Sequence, residues 1–193
     1  MKSYLFNTLL QEIRACRKCA EVLPLEPNPI IQVSQKAKIL IVGQAPGRRV
    51  HETGIPFNDP SGDRLRDWMG ISKDVFYDAT KIAIVPMGFC FPGTGKSGDL
   101  PPRAECAAQW RTTLINSLTD IKLTLIIGRY AMDWHLKTHK RTVTATVEDW
   151  KNYWPDQVVL PHPSPRNNIW LKKNSWFEDE VLPPLKRKIQ QLL

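Results

Sequence analysis

Four cysteines are the side chains of this sequence whose spacing most suggests a metal centre. Cys16 and Cys19 form a C-x2-C pair, and 70 residues later Cys90 and Cys106 follow with 15 residues between them. A close pair with two distant partners has to be assembled by the fold, as four-thiolate sites are. The alternative is four separate buried thiols, because free cysteine is among the most buried residue types. The pattern favours a four-cysteine metal site, which zinc or an iron–sulfur cluster would fit.

A histidine near the C-terminal end lies in a rigid stretch that could hold it for catalysis. Pro161, Pro163 and Pro165 alternate with His162 and Ser164. Proline fixes φ, so the imidazole would be kept in one place after a short apolar strand. A single histidine is more often structural or exposed, and this alternative stays open at this point.

A glycine- and proline-rich turn follows the apolar run Ile39–Val42, reads GQAPG at 43–47, and leads into a loop with Phe57 at its far end. The run suits a strand buried on both faces, and the turn places backbone N–H groups at the carboxyl edge of a sheet, where open α/β sheets bind ligands. By composition alone Phe57 is expected in the core. Its position behind Gly54 and Pro56 makes a pocket wall the alternative.

Apolar runs that alternate with amphipathic helical patterns must position these groups. Buried strands are predicted at 38–42, 81–85, 123–127 and 158–160, and a further edge strand at 142–147. Helices are predicted to start with Ser61 as a cap and with Pro102 as a first residue. The order predicts one α/β domain over 1–193, with a central mostly parallel sheet between helices. Because both motifs follow strands, both can reach one edge of that sheet.

The composition is typical of a globular protein with excess positive charge. Hydrophobic residues make up 42% of the chain, charged residues 24%, and the net charge is +8. This balance favours a polyanionic partner. No apolar run approaches the roughly 18 residues of a membrane span, and Asn7, Gln11 and Glu12 interrupt any signal-peptide core. We expect a cytoplasmic monomer, in a compartment where disulfides are rare.

Together the motifs resemble those of the uracil-DNA glycosylase superfamily. The carrying residues are the turn at 43–47, the stretch TGIPF at 53–57, Gly62, and HPSPRN at 162–167. The nearest branch is the family 4 iron–sulfur type, and the resemblance extends from Cys16 to the last helix. It implies a three-layer α/β/α fold, a DNA partner, base-excision repair, and a [4Fe–4S] cluster on Cys16, Cys19, Cys90 and Cys106, with zinc as the less favoured metal.

The resemblance also implies roles for individual residues. Phe57 would stack on an extruded base, and His162 would donate a hydrogen bond to the base carbonyl as negative charge develops. The implied catalytic residues are Gln44, Ala45 and His162. The implied base-binding residues are Gly43, Phe57 and Asn58. The implied DNA-binding residues are Pro46, Gly47, Arg48, Lys96, Ser164 and Arg166, with Arg166 at a position where some relatives wedge a side chain into the stack.

Two departures from the family pattern bear on activity. Neither Gln44 nor Ala45 has the carboxylate that some relatives carry there, so hydrolysis would rest on leaving-group stabilisation and positioned water, with His51, Glu52 and Asp59 as candidate helpers. Pro86 stands where family 4 places a uracil-recognising asparagine. This predicts weak or altered discrimination for uracil, with hypoxanthine or xanthine as further substrates, unless the backbone near Met87 and Gly88 or an asparagine of the motif loops recognises the base.

Three rival hypotheses stand beside this interpretation, and the missing carboxylates support the first of them. A non-cleaving protein that binds damaged DNA would need no carboxylate at 44 or 45. A nucleotide- or small-molecule-processing enzyme could use the same pocket. Covalent trapping of abasic sites is known in a related branch that carries a histidine between the third and fourth cysteines, and residues 91–105 of this chain contain none.

Overall fold

A parallel sheet forms the centre of the computed structural model, which describes residues 2–96, 98–138, 140 and 142–193, with only the backbone at 2–4. The strands are β1 Ile39–Val42, β2 Ile82–Ile84, β3 Thr94–Gly95, β4 Gly98–Asp99, β5 Leu123–Ile127 and β6 Gln157–Leu160. Among the described residues, four of them pair in the order β2-β1-β5-β6, all parallel, while β3 and β4 form a separate antiparallel hairpin. The predicted strands of the main sheet are confirmed.

Helices surround this sheet, so the predicted α/β fold class is confirmed. The α-helices are α1 Lys2–Arg14, α2 Arg48–Thr53, α3 Pro60–Met69, α4 Lys73–Tyr77, α5 Ala104–Cys106, α6 Thr112–Asn116, α7 Arg129–His135, α8 Val143–Glu148, α9 Asn168–Lys173 and α10 Leu182–Leu192. A π-helical turn, Ala107–Arg111, joins α5 to α6, and another, Phe177–Val181, precedes α10. Helix α7 packs on β5, α8 on β6, and α3 against α10.

The hydrophobic core explains why β1 lies centrally. All four of its residues are buried, because β2 and β5 cover its edges and helices cover its faces. One core cluster extends from Phe6 in α1 to Ile189 in α10. Burial of this kind supplies most of the free energy that holds a sheet between helices. No helix within the described ranges combines the length and the apolar character needed to cross a membrane.

Three sequence predictions about element boundaries are wrong. The predicted edge strand at 142–147 is helix α8, because the Thr142 hydroxyl caps it by accepting the N–H of Ala145 (3.1 Å) and Val147 packs into the core. Asp59, not Ser61, caps α3, and Pro60 is its first residue. The helix expected from Pro102 begins two residues later, at Ala104. At α3 and α8 the observed cap decides where the helix starts.

The topology brings the two motifs together. Strand β1 ends at Val42 and β6 ends at Leu160, and both run in the same direction with β5 between them. The loops that follow them therefore leave at the same carboxyl edge. The β3–β4 hairpin, which the sequence analysis treated only as part of a glycine- and proline-rich loop, also folds toward this edge, since Gln44 hydrogen-bonds to the backbone at its end.

Candidate active site

A cavity of about 460 Å³ opens at the carboxyl edge of the sheet, and both sequence motifs line it. We call it the motif pocket. The predicted site residues that line it are Gly43, Gln44, Ala45, Pro46, Gly47, Phe57, His162, Ser164 and Arg166. The fold thus assembles most of the predicted catalytic, base-binding and DNA-binding residues around one space.

Some predicted residues lie outside the lining of this pocket. The side chain of Arg48 is exposed and pairs with Glu52 one helical turn along α2 (3.2 Å). Lys96 is an exposed residue in the turn of the β3–β4 hairpin. Asn58 is half-buried, and its backbone N–H donates to the carbonyl of Ile55 (3.3 Å). Of the candidate helpers, Asp59 lines the pocket, whereas His51 and Glu52 do not.

Phe57 is held in its position by close backbone packing. Its φ of 54° is unusual for a residue other than glycine. Its carbonyl oxygen lies 1.7 Å from where a Cβ on Gly62 would be, so only glycine fits there. Its ring lies nearly perpendicular to the ring of Phe76, with ring centroids 6.1 Å apart, and its Cζ lies 3.9 Å from a Cβ built on Gly43. Phe57 is therefore packed on the core while one side of it lines the pocket.

The hydrogen bonds of His162 determine its protonation. The backbone N–H of Ser164 donates to Nδ1 of His162 (3.2 Å), which places the proton of the neutral ring on Nε2. Burial lowers the pKa of His162, and the nearby carboxylates of Asp59 and Asp99 offset this only in part. His162 is therefore a neutral ring with one N–H donor available at Nε2.

A clamp from α3 fixes the turn that carries His162. Nη1 of Arg64 donates to the carbonyl of Ser164 (2.9 Å), and Nη2 donates to Oδ1 of Asn168 (2.6 Å). Nδ2 of Asn167 donates to the carbonyl of His162 (2.7 Å). The prolines alone suggested a rigid turn. These hydrogen bonds also orient the turn relative to Phe57, because Arg64 lies on α3, which directly follows the segment 43–59 that contains Phe57 and that we call the motif loop.

A second, enclosed pocket holds the four cysteines that the sequence analysis paired. Cys16, Cys19, Cys90 and Cys106 all line it, and none forms a disulfide. We call it the cysteine pocket. The distant pairs are brought together because α1 ends beside the loop after β2 and the start of α5. As they lie, no three His, Cys, Asp or Glu side chains of the described chain are close enough to bind a common metal ion.

The surroundings of these sulfurs are rich in hydrogen-bond donors. The backbone N–H of Phe89 donates to Sγ of Cys106 (3.3 Å). The backbone N–H of Asn28 and the side chain of Arg103 lie near Cys90 and Cys19, respectively, and each offsets part of the rise in the pKa of that thiol. Burial raises the pKa of Cys90 to about 11 and that of Cys106 to about 12. Burial therefore keeps these two thiols protonated unless a metal binds, although N–H groups suited to thiolates lie near them.

The match to known families concerns most of the chain. Residues 31–186 match the model of the uracil DNA glycosylase superfamily. The chain belongs to the uracil DNA glycosylase superfamily. A solution structure of a protein from Methanosarcina acetivorans, provisionally named a uracil DNA glycosylase, is 16% identical and covers 82% of this chain and 94% of its own, with a TM-score of 0.49. The superfamily expected from the motifs is confirmed.

In this glycosylase superfamily member, the end of β2 presents few polar groups to the motif pocket. Pro86 lines the motif pocket, as the sequence analysis implied. The N–H of Met87 donates to the carbonyl of Gly43 (2.7 Å), and the N–H of Gly88 to that of Gln44 (2.9 Å). These two backbone donors are therefore used within the protein. Asn167, in contrast, lines the pocket with a side-chain amide.

The sequence analysis missed two parts of this site, the Arg64 clamp and the hairpin residue Asp99. Nε2 of Gln44 donates to the carbonyls of Leu100 (2.9 Å) and Asp99 (3.4 Å), which holds the hairpin against the motif loop. Asp99 thereby lines the motif pocket. The segment TGKSGD at 94–99 carries a hairpin signal, since two glycines flank a two-residue turn. No sequence signal indicated which way this hairpin would fold.

Proposed function

We propose that the protein is a DNA glycosylase that takes a deaminated base out of the DNA stack and hydrolyses its N-glycosidic bond. The observation that carries this proposal is a neutral His162, with its proton on Nε2, lining the same cavity as the Phe57 side chain. An aromatic face suits stacking on an extruded base. An oriented N–H donor suits the negative charge that forms on the base when its bond to the sugar breaks.

Positioning of the leaving group would be the main source of catalysis. The hydrogen bond from the Ser164 N–H and the clamp by Arg64 hold the imidazole before substrate arrives, so little reorganisation is needed in the transition state. A neutral imidazole is the form that donates from Nε2 while it accepts at Nδ1. Protonation of the ring would abolish the Ser164 hydrogen bond that fixes its orientation.

The base specificity proposed here is broader than uracil. Pro86 has no polar side-chain atom at the end of β2, and the backbone N–H groups of Met87 and Gly88 are used by the protein. Asn167 can still offer an amide, because only one of its N–H bonds is used by the His162 carbonyl. One amide recognises fewer features of the base than a dedicated strand residue, so uracil, hypoxanthine and xanthine are the substrate class.

DNA would bind across the rim of the motif pocket. The net charge of +8 provides a general attraction for phosphates. Arg48 and Lys96, which do not line the pocket, are exposed beside it and suit phosphate contacts. Arg166 lies against the hairpin, with Nη1 2.6 Å from a Cβ position on Gly98, so its guanidinium sits at the pocket wall.

The proposal includes a [4Fe–4S] cluster held by Cys16, Cys19, Cys90 and Cys106. The donor set fits it, since all four thiols line one pocket and N–H groups from Phe89, Asn28 and Arg103 are available to thiolate sulfurs. A bound cluster would cross-link the end of α1, the loop after β2, and α5. Its chemistry would be structural, because hydrolysis of an N-glycosidic bond transfers no electrons.

The decisive experiment is a panel of oligonucleotides that each carry one uracil, hypoxanthine or xanthine, as duplex and as single strand. We expect alkali-labile abasic sites in more than one of these substrates, and a Phe57→Tyr variant, which keeps the aromatic face, to retain cleavage. Tight binding of lesion DNA without any abasic product would favour the non-cleaving rival. Absence of both binding and cleavage would favour the small-molecule rival.

A further inference from the structure

We propose that Asp99, on the β3–β4 hairpin, is the general base that activates the hydrolytic water in the motif pocket. This inference rests on the proposed glycosylase function and assigns a residue to its missing step. Neither Gln44 nor Ala45 carries a carboxylate, so the turn at 43–47 supplies no general base to activate water. A carboxylate from another element can fill that role only if the fold delivers it to the same cavity.

Gln44 is the residue that delivers the hairpin. Its side-chain Nε2 donates to the backbone carbonyls of Leu100 (2.9 Å) and Asp99 (3.4 Å). A carboxylate at position 44 could not donate these bonds and would repel the carbonyl oxygens. Gln44 therefore cannot act as a base itself, but it holds in place the hairpin that carries the carboxylate of Asp99.

The carboxylate of Asp99 lies next to the motif loop. Its Oδ2 is 3.3 Å from where a Cβ on Gly47 would be, and both residues line the motif pocket. Any side chain at Gly47 would crowd this oxygen. Oδ1 accepts a hydrogen bond from the hydroxyl of Thr94 (3.3 Å) across the hairpin, which orients the group. His162 lies close enough for the charge of Asp99 to act on it.

The other acidic residue that lines the pocket has a structural task. Asp59 caps α3, because its Oδ1 accepts the backbone N–H of Gly62 (2.9 Å). Proton uptake by Asp59 would weaken that cap. Asp99 caps no helix and its side chain is exposed at the pocket. Of the two carboxylates that line the described pocket, Asp99 is the one that can take up a proton without loosening the motif loop.

The proposed step balances as a simple hydrolysis. The bond between C1′ of the sugar and the base nitrogen breaks, and its electron pair leaves with the base, whose charge is stabilised by the Nε2–H of His162. The oxygen of a water molecule forms the new bond to C1′. One proton of that water passes to the carboxylate of Asp99, which later releases it to solvent. General bases of this kind typically contribute about 10²–10⁴-fold to the rate.

The test separates chemistry from DNA binding. Asp99→Asn should lower the single-turnover cleavage rate about 100-fold or more on the best lesion substrate. Affinity for a duplex with a tetrahydrofuran abasic analogue should stay equal or rise, because a negative charge has left the DNA-binding face. Asp99→Ala should regain part of its rate when formate is added, which a purely structural residue would not allow. Asp156→Asn, the same change at an exposed site at the amino end of β6, should leave rate and affinity unchanged.

Each outcome bears on one claim. A wild-type protein that cleaves while Asp99→Asn cleaves equally well would overturn the role of Asp99 and leave the proposed function standing. Parallel losses of rate, affinity and thermal stability in Asp99→Asn, without rescue of Asp99→Ala by formate, would also overturn it and assign Asp99 to the hairpin structure. A wild-type protein that cleaves none of the lesions would overturn both proposals.

Discussion

Pro86 and Cys90 are neighbours along the loop after β2, yet they belong to two pockets with opposite chemical needs. The motif pocket is open and lined by polar and aromatic groups. It is organised by the protein alone, because Ser164 and Arg64 fix the His162 turn and Gly62 fixes the backbone of Phe57. The cysteine pocket is more enclosed and contains thiols whose pKa values are raised by burial.

The two pockets differ in whether their side chains need a bound cation to be stable. A neutral donor and an aromatic face need no added charge to be stable in the motif pocket. Four clustered thiolates repel one another and are costly to bury unless a cation holds them. The donors from Phe89 and Asn28 stabilise thiolate sulfurs but do not supply that charge. We therefore expect the two pockets to respond differently to substitution.

A buried arginine joins the two regions. Arg111 is fully buried, and its Nη1 donates to the carbonyls of Val85 and Pro86 at the end of β2, while Nη2 donates to Nε2 of His135 (2.6 Å). Arg111 follows Cys106 by five residues, through the π-helical turn. The strand end that borders the motif pocket is thus held by the same helix that carries the fourth cysteine.

The largest expected effect is the loss of stability when one cysteine of the cysteine pocket is replaced. Cys106→Ser should remove bound iron and sulfide and lower the free energy of unfolding by several kcal/mol, since metal binding to structural sites is worth up to about 10–16 kcal/mol. Visible absorption, metal analysis and denaturant unfolding of anaerobically purified protein measure this. Thr113→Ala, an exposed change in α6 of the same helical segment and away from the pocket, is the control. Colourless wild-type protein with one zinc would leave the four-cysteine site and remove the cluster.

A smaller loss of stability should follow from crowding the motif loop. Gly62→Ala would place a methyl group 1.7 Å from the carbonyl oxygen of Phe57, and we expect a cost of about 3 kcal/mol in denaturant unfolding. Gly54→Ala is the matched control, because Gly54 has a φ of 68° but no atom within 4 Å of the added methyl. Its strain should cost about 1–2 kcal/mol. Equal costs for the two variants would contradict the close packing at Phe57.

Removal of the aromatic ring from the motif pocket should weaken DNA binding more than it destabilises the fold. Phe57→Ala should weaken binding of lesion-containing single strands about 10–100-fold, because stacking of a base on an aromatic ring is worth about 1–3 kcal/mol. Phe57→Tyr should bind nearly as well as the wild type. Fluorescence anisotropy gives the affinities, and thermal melting shows whether the fold is kept. An Ala variant that unfolds instead would assign Phe57 to the core alone.

The pH dependence of the free energy of unfolding tests the buried contact between Arg111 and His135. Burial, and secondarily the charge of Arg111, lowers the pKa of His135 from 6.5 to about 4. Between these values the unfolded chain binds a proton that the folded chain does not, so the free energy of unfolding falls as the pH drops below 6.5. We expect a contribution of about 1–2 kcal/mol between pH 7 and pH 5. In His135→Gln, where the amide oxygen can accept from Arg111, this part of the slope should disappear.

Most of the fold and about half of the site geometry follow from the sequence. The strands of the main sheet were predictable because each is a short and mainly apolar run, and the motif turns follow β1 and β6 directly. The helix α8 was not, because β-branched residues at 142–147 suggest a strand, and only the Thr142 cap and the burial of Val147 decide for a helix. Local patterns cannot include such tertiary contacts.

The site residues that the sequence did not predict were missed for the same physical reason. Arg64 and Asp99 act through contacts between segments far apart in the chain: Arg64 reaches Ser164, and Asp99 is held by Gln44. Neither belongs to a motif of fixed spacing. Asn58, by contrast, was expected to reach the base from the motif loop, but it does not line the pocket. Adjacent residues in a turn generally point in different directions, so position in the motif does not define the pocket lining.

The central claim is that His162 stabilises the departing base, and its removal tests this most directly. The measurement is the single-turnover rate of base release from the best lesion substrate for wild type and His162→Ala, with affinity for an uncleavable abasic duplex measured in parallel. Loss of one such donor should lower the rate about 10²–10³-fold with little change in affinity or melting temperature. Base release by His162→Ala at the wild-type rate would contradict the account.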